Sequence, residues 1–338
     1  MMLNVGIIGC GNIAGRYDEI NKDENIYTHA GMYTAFPQFK ISCASDNNEK
    51  RLHEFCSFWQ IDRHYPNYQE LLTNEECDII SLATPDETHD QILNDIIELS
   101  KPGIIFTEKP LALTSKAALD IYESCLRKNI KLIVDYVRRW DKTHNEIKMF
   151  IDSGQSGKIK KVIGYYVRGL RHNGCQLINL IQFFFGKIKS VQVIGESNKG
   201  SIENDHSMDV RFILENQIEV YMMALDKDGY DFSIYELDIF GQNARIKISN
   251  GGQRFELYVS EADPQFPNFK TLIMKPAWRS TYGNALKRAG QNILSIFSNN
   301  EFSCNSSAQE AIDDLYVIEA VIESANNNND LTHVLRKL

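Results

Sequence analysis

Between Val5 and Val134 short, largely apolar runs alternate with longer amphipathic stretches, and this alternation constrains the chain more than any other feature. The runs are Val5–Ile8, Lys40–Ala44, Asp78–Ala83, Gly103–Thr107 and Lys131–Val134. Among the stretches between them, Asn48–Phe58, Thr88–Leu99 and Ser115–Arg127 repeat apolar residues every three or four positions, the period of a helix with one buried face. Strands that carry apolar residues on both faces are covered on both faces. In a single chain that means a parallel sheet joined by right-handed helical crossovers. The first half is therefore read as a doubly wound α/β domain.

After about Arg138 the pattern changes. Strand-like runs follow one another at Lys160–Tyr166, Ser190–Ile194, Ser207–Leu214, Ile218–Ala224, Ile234–Phe240 and Ala244–Ile248, and several alternate polar with apolar residues. Val210–Leu214, the turn Glu215-Asn216-Gln217 and Ile218–Met222 read as an antiparallel hairpin. Helices expected at Asn145–Ser153, Leu177–Phe185, Tyr282–Phe297 and Ala308–Ala325 would cover one face of that sheet, and the polar run Asn326–Asn329 would end the last of them. With 338 residues the chain has room for two domains with sizeable cores. The expectation is a dinucleotide-binding domain over residues 1–137 and an α+β domain for substrate binding and oligomerisation over 138–338.

A net charge of -9 without a long Lys/Arg block repels phosphate backbones and anionic membranes, so neither nucleic acid nor a membrane is expected as partner. The start has no charged leader and its apolar run is too short to span a bilayer, which leads to the expectation of a cytoplasmic protein. The seven cysteines contain no C-x-x-C pair, so neither a zinc site nor a disulfide framework is expected, and no metal.

The first run closes on Gly9-Cys10-Gly11-Asn12-Ile13-Ala14. In a dinucleotide-binding turn Gly9 permits the tight bend, Gly11 lets a pyrophosphate approach the backbone, and the small Ala14 lets helix and strand pack closely. The same residues would serve an ordinary strand-to-helix turn, but the preceding buried strand supplies the context the motif needs. Asp46 ends the second run, where a carboxylate accepts hydrogen bonds from the adenosine ribose hydroxyls and repels a 2'-phosphate, favouring NAD over NADP. It stands 37 positions after Gly9, against the roughly 20 usual for the fingerprint. The surplus falls in the charged stretch Tyr17–Asn25, read as a solvated surface excursion before a substrate-contacting lid.

Taken together, Gly9–Ala14, Asp46, Ala83-Thr84-Pro85-Asp86 with His89, and Glu108-Lys109-Pro110 resemble the Gfo/Idh/MocA oxidoreductases, the family of glucose-fructose oxidoreductase and inositol dehydrogenase. Ile151–Gly154 through Gly157–Ile159 and the stretch Glu310–Ala325 extend the resemblance over nearly the whole chain. It implies a Rossmann domain followed by a domain with a large, mostly antiparallel sheet, through which members often form homo-oligomers. It implies NAD as cofactor, held by Gly9, Gly11, Asn12, Ile13, Asp46, Thr84, Pro85, His89 and Glu108. It also implies sugars, sugar nucleotides or cyclitols as substrates. In the family the lysine matching Lys109 lies near both nicotinamide and substrate, where an ammonium can polarise or shuttle a hydroxyl proton while hydride moves.

The second half departs from the family's usual D-x-G-x-H followed by a later acid. With Gly174 and Gly186 as anchors, His172 stands at the Asp position, Gln176 at the His position and Asn179 at the later acid. Gln176 can orient a hydroxyl but cannot accept its proton. His172 is the candidate to restore a base, since imidazole ordinarily exchanges protons near neutrality, and it equally suits a packing or capping role. Arg138, Arg139, Arg168 and Arg171 suit phosphates or carboxylates, and also structural ion pairs. Arg139, Asn173 and Gln176 are the substrate-binding candidates, while Tyr136, Trp140, Tyr165 and Tyr166 offer aromatic surface and are more often core. The residues point to an NAD-dependent oxidoreductase acting on a secondary alcohol or ketone of a sugar or sugar nucleotide, and the run Arg168–Gly174 resembles a branch found among surface-glycan enzymes, which implies surface-glycan biosynthesis as a setting. A catalytically silent relative that binds dinucleotide and a sugar-like ligand is the alternative, and redox-assisted glycoside cleavage is compatible with the same residues.

Overall fold

In the computed structural model of the chain, which describes residues 2–21, 24–195, 198–202, 205–230, 235–299 and 304–336, the apolar runs of the first half pair in parallel. The strands are β1 (Leu3–Ile8), β2 (Phe39–Ser45), β3 (Arg63–Tyr65), β4 (Ile79–Leu82), β5 (Ile104–Glu108) and β6 (Lys131–Asp135). They lie in the order β3-β2-β1-β4-β5-β6, the doubly wound arrangement, which reverses direction between β1 and β4. Val5, Ile7, Ile79, Ile105 and Phe106 are completely buried, which is why these strands read as continuous apolar runs. β3 is short, polar and at the sheet edge, so it left no such signal.

The helices follow their periodicity closely. Glu49–Trp59 is capped by the Asn48 side chain, which accepts from Arg51 N–H, and Ser115–Arg127 is capped by Thr114. His29–Thr34 and Tyr68–Asn74 are further helices, too short to show a repeat.

The chain divides into two compact units, residues 1–141 with 283–312 and residues 142–282 with 313–338. The helix expected over the second sheet, now Ala285–Asn299, belongs to the first unit, where Leu286, Ala289, Ile293 and Ile296 join the core of Val5, Ile7, Tyr33 and Phe106. Its apolar stripe recorded that it covers something. It did not record which sheet.

The second unit is built on nine strands in the order β16-β15-β14-β13-β7-β12-β11-β8-β17. These are β7 (Ile159–Tyr166), β8 (Ile188–Val193), β11 (Val210–Leu214), β12 (Glu219–Ala224), β13 (Tyr235–Gly241), β14 (Ala244–Ser249), β15 (Arg254–Ala262), β16 (Lys270–Lys275) and β17 (Thr332–His333), with β9 (Asn198–Ile202) and β10 (Asp205–Ser207) forming a separate pair. The sheet is mostly antiparallel, with β12 and β7 running parallel. The expected hairpin is present, pairing Val210 with Met222 and Phe212 with Val220. The run expected at Ser207–Leu214 is divided between β10 and β11, and Ile234 lies outside the described residues. The last long helix, Ala308–Asn326, ends where the asparagines begin, and Asn328 and Asn329 take the left-handed conformation that asparagine tolerates. Among the described residues no helix is long and apolar enough to cross a membrane, and no two cysteines form a disulfide.

Candidate active site

Because β1, β2, β4 and β5 are parallel neighbours, their carboxyl ends share one edge of the first sheet. That edge brings together the glycine turn, Asp46, Thr84 and Lys109 over three strand spacings, about 14 Å. Gly9 follows β1 with φ +88, and a Cβ there would lie 2.4 Å from the Ala83 carbonyl oxygen, so only glycine fits. At Gly11 a Cβ would meet nothing within 4 Å, which leaves the backbone open to a ligand group. The close approach between elements falls on Gly15, where a Cβ would stand 2.5 Å from the Phe55 and Trp59 rings, as well as on buried Ala14. Asn12 is exposed and Ile13 half-buried in the wide turn Asn12–Arg16.

The charged stretch that follows is only partly a solvated excursion: Tyr17, Ile20, Asn21 and Glu24 are exposed, whereas Asp18 and Glu19 are half-buried. Residues Tyr17–Ile20 are helical, while Lys22 and Asp23 lie outside the described residues. Asp18 accepts from Tyr27 N–H at 2.9 Å and from the Thr28 hydroxyl at 2.6 Å. Glu19 takes a two-point contact from Arg51 at 2.9 and 3.0 Å and accepts from Trp59 Nε1 at 3.1 Å. Glu19 thus holds the segment against the helix after β2, and Asp18 holds it to Tyr27 and Thr28.

Asp46 is partly buried and oriented by backbone donors. Its Oδ2 accepts from Cys10 N–H at 2.7 Å and its Oδ1 from Asn48 N–H at 2.8 Å. The carboxylate is thus tied to the glycine turn itself, with lone pairs left for ribose hydroxyls. Arg51, the nearby cation on the following helix, donates from Nε to the Cys10 carbonyl and is engaged by Glu19. Its fork is occupied rather than open to a 2'-phosphate.

Thr84 is half-buried and Pro85 exposed at the tip of β4. His89, expected among the cofactor ligands, is instead fully buried, with Nδ1 2.7 Å from the Pro110 carbonyl and Nε2 3.0 Å from the Thr84 carbonyl. It ties the β4 and β5 tips together. The Lys109–Pro110 peptide is cis, and Lys109 is partly exposed at the end of β5.

Glu108, expected to touch the cofactor, also turns inward. Its Oε1 lies 3.4 Å from His29 Nε2 and its Oε2 accepts from Lys109 N–H at 3.2 Å. His29 is completely buried; its Nδ1 lies 2.9 Å from the Ser81 hydroxyl and its Nε2 3.5 Å from Asp135 Oδ2. Burial alone would strip the proton from His29, but the Asp135 and Glu108 carboxylates outweigh it and push the group up to about 9. Burial pushes Asp135 up to about 6 against the opposing effect of His29, whereas Glu108 is held low because His29 and Lys109 overcome its burial. One donor atom each from His29, Glu108 and Asp135 lie within 4.8 Å of one another, the spacing a small cation would need. Sequence reasoning missed His29 and Asp135, since nothing local marks either.

Arg139, read as substrate-binding, and its neighbour Arg138 are 7% and 4% exposed. Arg139 pairs with Glu310 at 2.7 Å, because a buried guanidinium needs a counter-charge. Glu310 in turn closes a capping box with Ser307, accepting from its N–H at 2.8 Å. Tyr136, Trp140 and Tyr166 are core, while Tyr165 is half-buried.

In the second unit the departing segment forms a wide helical turn, Gly169–Gly174, followed by the helix Cys175–Phe185. Arg168 is exposed in the left-handed conformation, and His172, Arg171 and Gln176 are half-buried. Asn173, expected to touch substrate, is buried. Asp205, which sequence reasoning missed, organises the turn by accepting from Arg171 N–H and His172 N–H, both at 2.9 Å. Asn179 donates to buried Asp314 at 2.7 Å, so a carboxylate is present there, supplied from a distant part of the chain.

Residues 3–136 match the family described as an oxidoreductase family with an NAD-binding Rossmann fold, Gfo/Idh/MocA. Inositol 2-dehydrogenase 2 of Saccharopolyspora erythraea is 30% identical over 159 residues, 47% of this chain and 43% of its own length. Inositol 2-dehydrogenase of Mycolicibacterium smegmatis is 32% identical over 128 residues, 38% and 36% of the two chains. The matched part thus spans less than half the length of these curated relatives. Levoglucosan dehydrogenase in complex with NADH superimposes with a TM-score of 0.79 at 17% identity, covering 100% of both chains. The WlbA dehydrogenase of Bordetella pertussis, in complex with NADH and UDP-GlcNAcA, gives 0.79 at 15% identity over 100% of both. At such identities the likeness is one of fold, and it supports the two-sheet architecture. Residues 3–136, with the glycine turn and Asp46 along one sheet edge, thus match the Gfo/Idh/MocA family of NAD-binding oxidoreductases.

Proposed function

We propose that the protein is an NAD-dependent oxidoreductase that transfers a hydride between nicotinamide and a secondary alcohol or ketone of a sugar derivative, with Lys109 as the group that handles the hydroxyl proton. The observation that carries this reading is the division of labour at the tip of β5. Glu108 is drawn into the buried cluster with His29 and Asp135, while the adjacent Lys109 is partly exposed at the end of β5. Hydride removal from a carbinol carbon leaves a hydroxyl proton to be taken up, and an amine at that edge can accept it or, in the reverse direction, return it. The curated relatives named inositol 2-dehydrogenases support a polyol or sugar as substrate class. A sugar nucleotide and a place in surface-glycan synthesis are the finer form of the proposal, as is a homo-oligomer.

His172 is proposed as a second proton-handling group and Gln176 as a substrate-orienting one, both on the turn held by Asp205. Arg139 and Asn173 are not carried forward, because both are buried. The test is turnover of NAD⁺ with a panel of sugars, cyclitols and nucleotide sugars, followed by absorbance of the reduced nicotinamide. Lys109→Ala is expected to reduce kcat by about 10²- to 10⁴-fold with NADH affinity nearly unchanged. Retained turnover defeats the role of Lys109. NADH binding without turnover on any panel member, together with stabilisation by a sugar, would favour the catalytically silent alternative.

A further inference from the structure

The hydride step as proposed makes no use of His29, yet three strands of the first sheet converge on its ring. Ser81 of β4, Glu108 of β5 and Asp135 of β6 all face it, and the ring lies against Phe106 at a centroid distance of 4.8 Å. Glu108 and Asp135 are direct partners across the β5–β6 ladder. Like charges opposite one another on neighbouring strands destabilise a sheet, and here the pair is buried, with side chains 13% and 2% exposed. A cation between them removes that cost. The position is prepared from elsewhere, since Asp18 fixes Tyr27 and Thr28, and the Thr28 side chain caps the helix that begins at His29.

We propose that His29 is a positioning residue: held as an imidazolium between Glu108 and Asp135, it fixes the tip of β5 from which Lys109 projects. The proposal rests on the reading of Lys109 as the proton-handling group. Glu108 is the mechanical link. One carboxylate oxygen faces the His29 ring and the other accepts the Lys109 backbone N–H, so the ring's charge sets the orientation of the carboxylate, and the carboxylate sets the backbone at Lys109. The charges favour this arrangement as well. Around the cluster stand Glu108, Asp135 and Tyr33, the last kept neutral by burial, and Lys109 acts on both carboxylates from the end of β5. A charged His29 offsets one of the two buried carboxylates. Without the charge on His29 two buried carboxylates share the site, and Asp135, already raised by burial, is the one to take up a proton.

The experiment combines a spectroscopic and a kinetic arm. In cofactor-free, 15N-labelled protein, both ring nitrogens of His29 are expected to be protonated at pH 7.5. A neutral ring at that pH overturns the proposal, as does a stoichiometric metal in the purified protein that is lost in His29→Gln. In the kinetic arm, His29→Gln is expected to lower kcat per folded molecule by about tenfold or more while NADH affinity stays within about threefold. Adding Asp135→Asn removes the surplus negative charge and is expected to recover most of that loss. Unchanged kcat in the single variant, or a double variant worse than the single, overturns the proposal. The nitrogen resonances require neither substrate nor a folded variant. Retained turnover in Lys109→Ala would instead defeat the functional reading while leaving the state of His29 measurable.

Discussion

At the residue scale, the side chains legible in the sequence are those whose role follows from their own backbone position. Gly9 is one: its φ of +88 and the 2.4 Å approach of a Cβ to the Ala83 carbonyl make alanine there a backbone clash. Gly9→Ala is expected to cost more than about 2 kcal/mol in urea unfolding and to abolish NADH binding. Asp46 is another, and Asp46→Ala should narrow the preference for NAD over NADP by about tenfold or more, measured as the ratio of their dissociation constants. His29 was not legible, because its partners lie 52 or more positions away and no local motif marks them. It makes stability depend on pH in a definite direction. A histidine raised from 6.5 to about 9 stabilises the fold fully below pH 6.5, and that contribution is lost as pH rises through about 9. Asp135, raised from 3.8 to about 6, acts with the same sign at lower pH. The thermal midpoint should therefore fall between pH 6.5 and 9.5, with a flatter slope in His29→Gln. An equal slope in the variant would show that His29 does not carry the effect.

At the scale of elements, periodicity located helices well and strands unevenly. Ser115–Arg127 matches its apolar repeat residue for residue, and Cys175–Phe185 differs from its reading by two at one end. β15 alternates Phe255, Leu257 and Val259 with polar neighbours, so its signal was present and passed over. β16 is different: it lies at the sheet edge with Lys270, Leu272, Ile273 and Met274 exposed, and no single buried face imposes a pattern. The turn Gly169–Gly174 shows why a site segment can be read but not built from sequence. Its unusual residues were visible, whereas the carboxylate that shapes it comes from β10. Asp205→Ala removes acceptors from two backbone N–H groups and should cost roughly 2 to 3 kcal/mol. NADH affinity should be unaffected, and kcat lowered if His172 acts as proposed. Loss of NADH affinity instead would show that the first unit depends on this turn.

At the scale of the whole molecule, cofactor binding should be visible as stability. NADH at 100 times its dissociation constant is expected to stabilise the protein by about 2.7 kcal/mol, read as a rise in the thermal midpoint, and NADPH at the same concentration should raise the midpoint less, because Asp46 repels a 2'-phosphate. The family resemblance was read chiefly from short motifs in fixed order, and the matched residues 3–136 are the part of the chain in which the glycine turn, Asp46 and Glu108-Lys109-Pro110 lie. What the sequence determined by itself was whatever depends on neighbours within a few positions: alternation of buried strands with amphipathic helices, a glycine where φ is positive, a carboxylate at a strand tip, an amine beside a proline. Only the tertiary structure decided which charges are spent on folding. It placed Arg139 against Glu310, turned Glu108 away from the sheet edge towards His29 and Asp135, drew the helix Ala285–Asn299 into the first core, and supplied Asp314 to Asn179. The physical reason is the same in each case. A buried charge must find its counterpart and an apolar face must find its cover, and neither partner need be near in the chain.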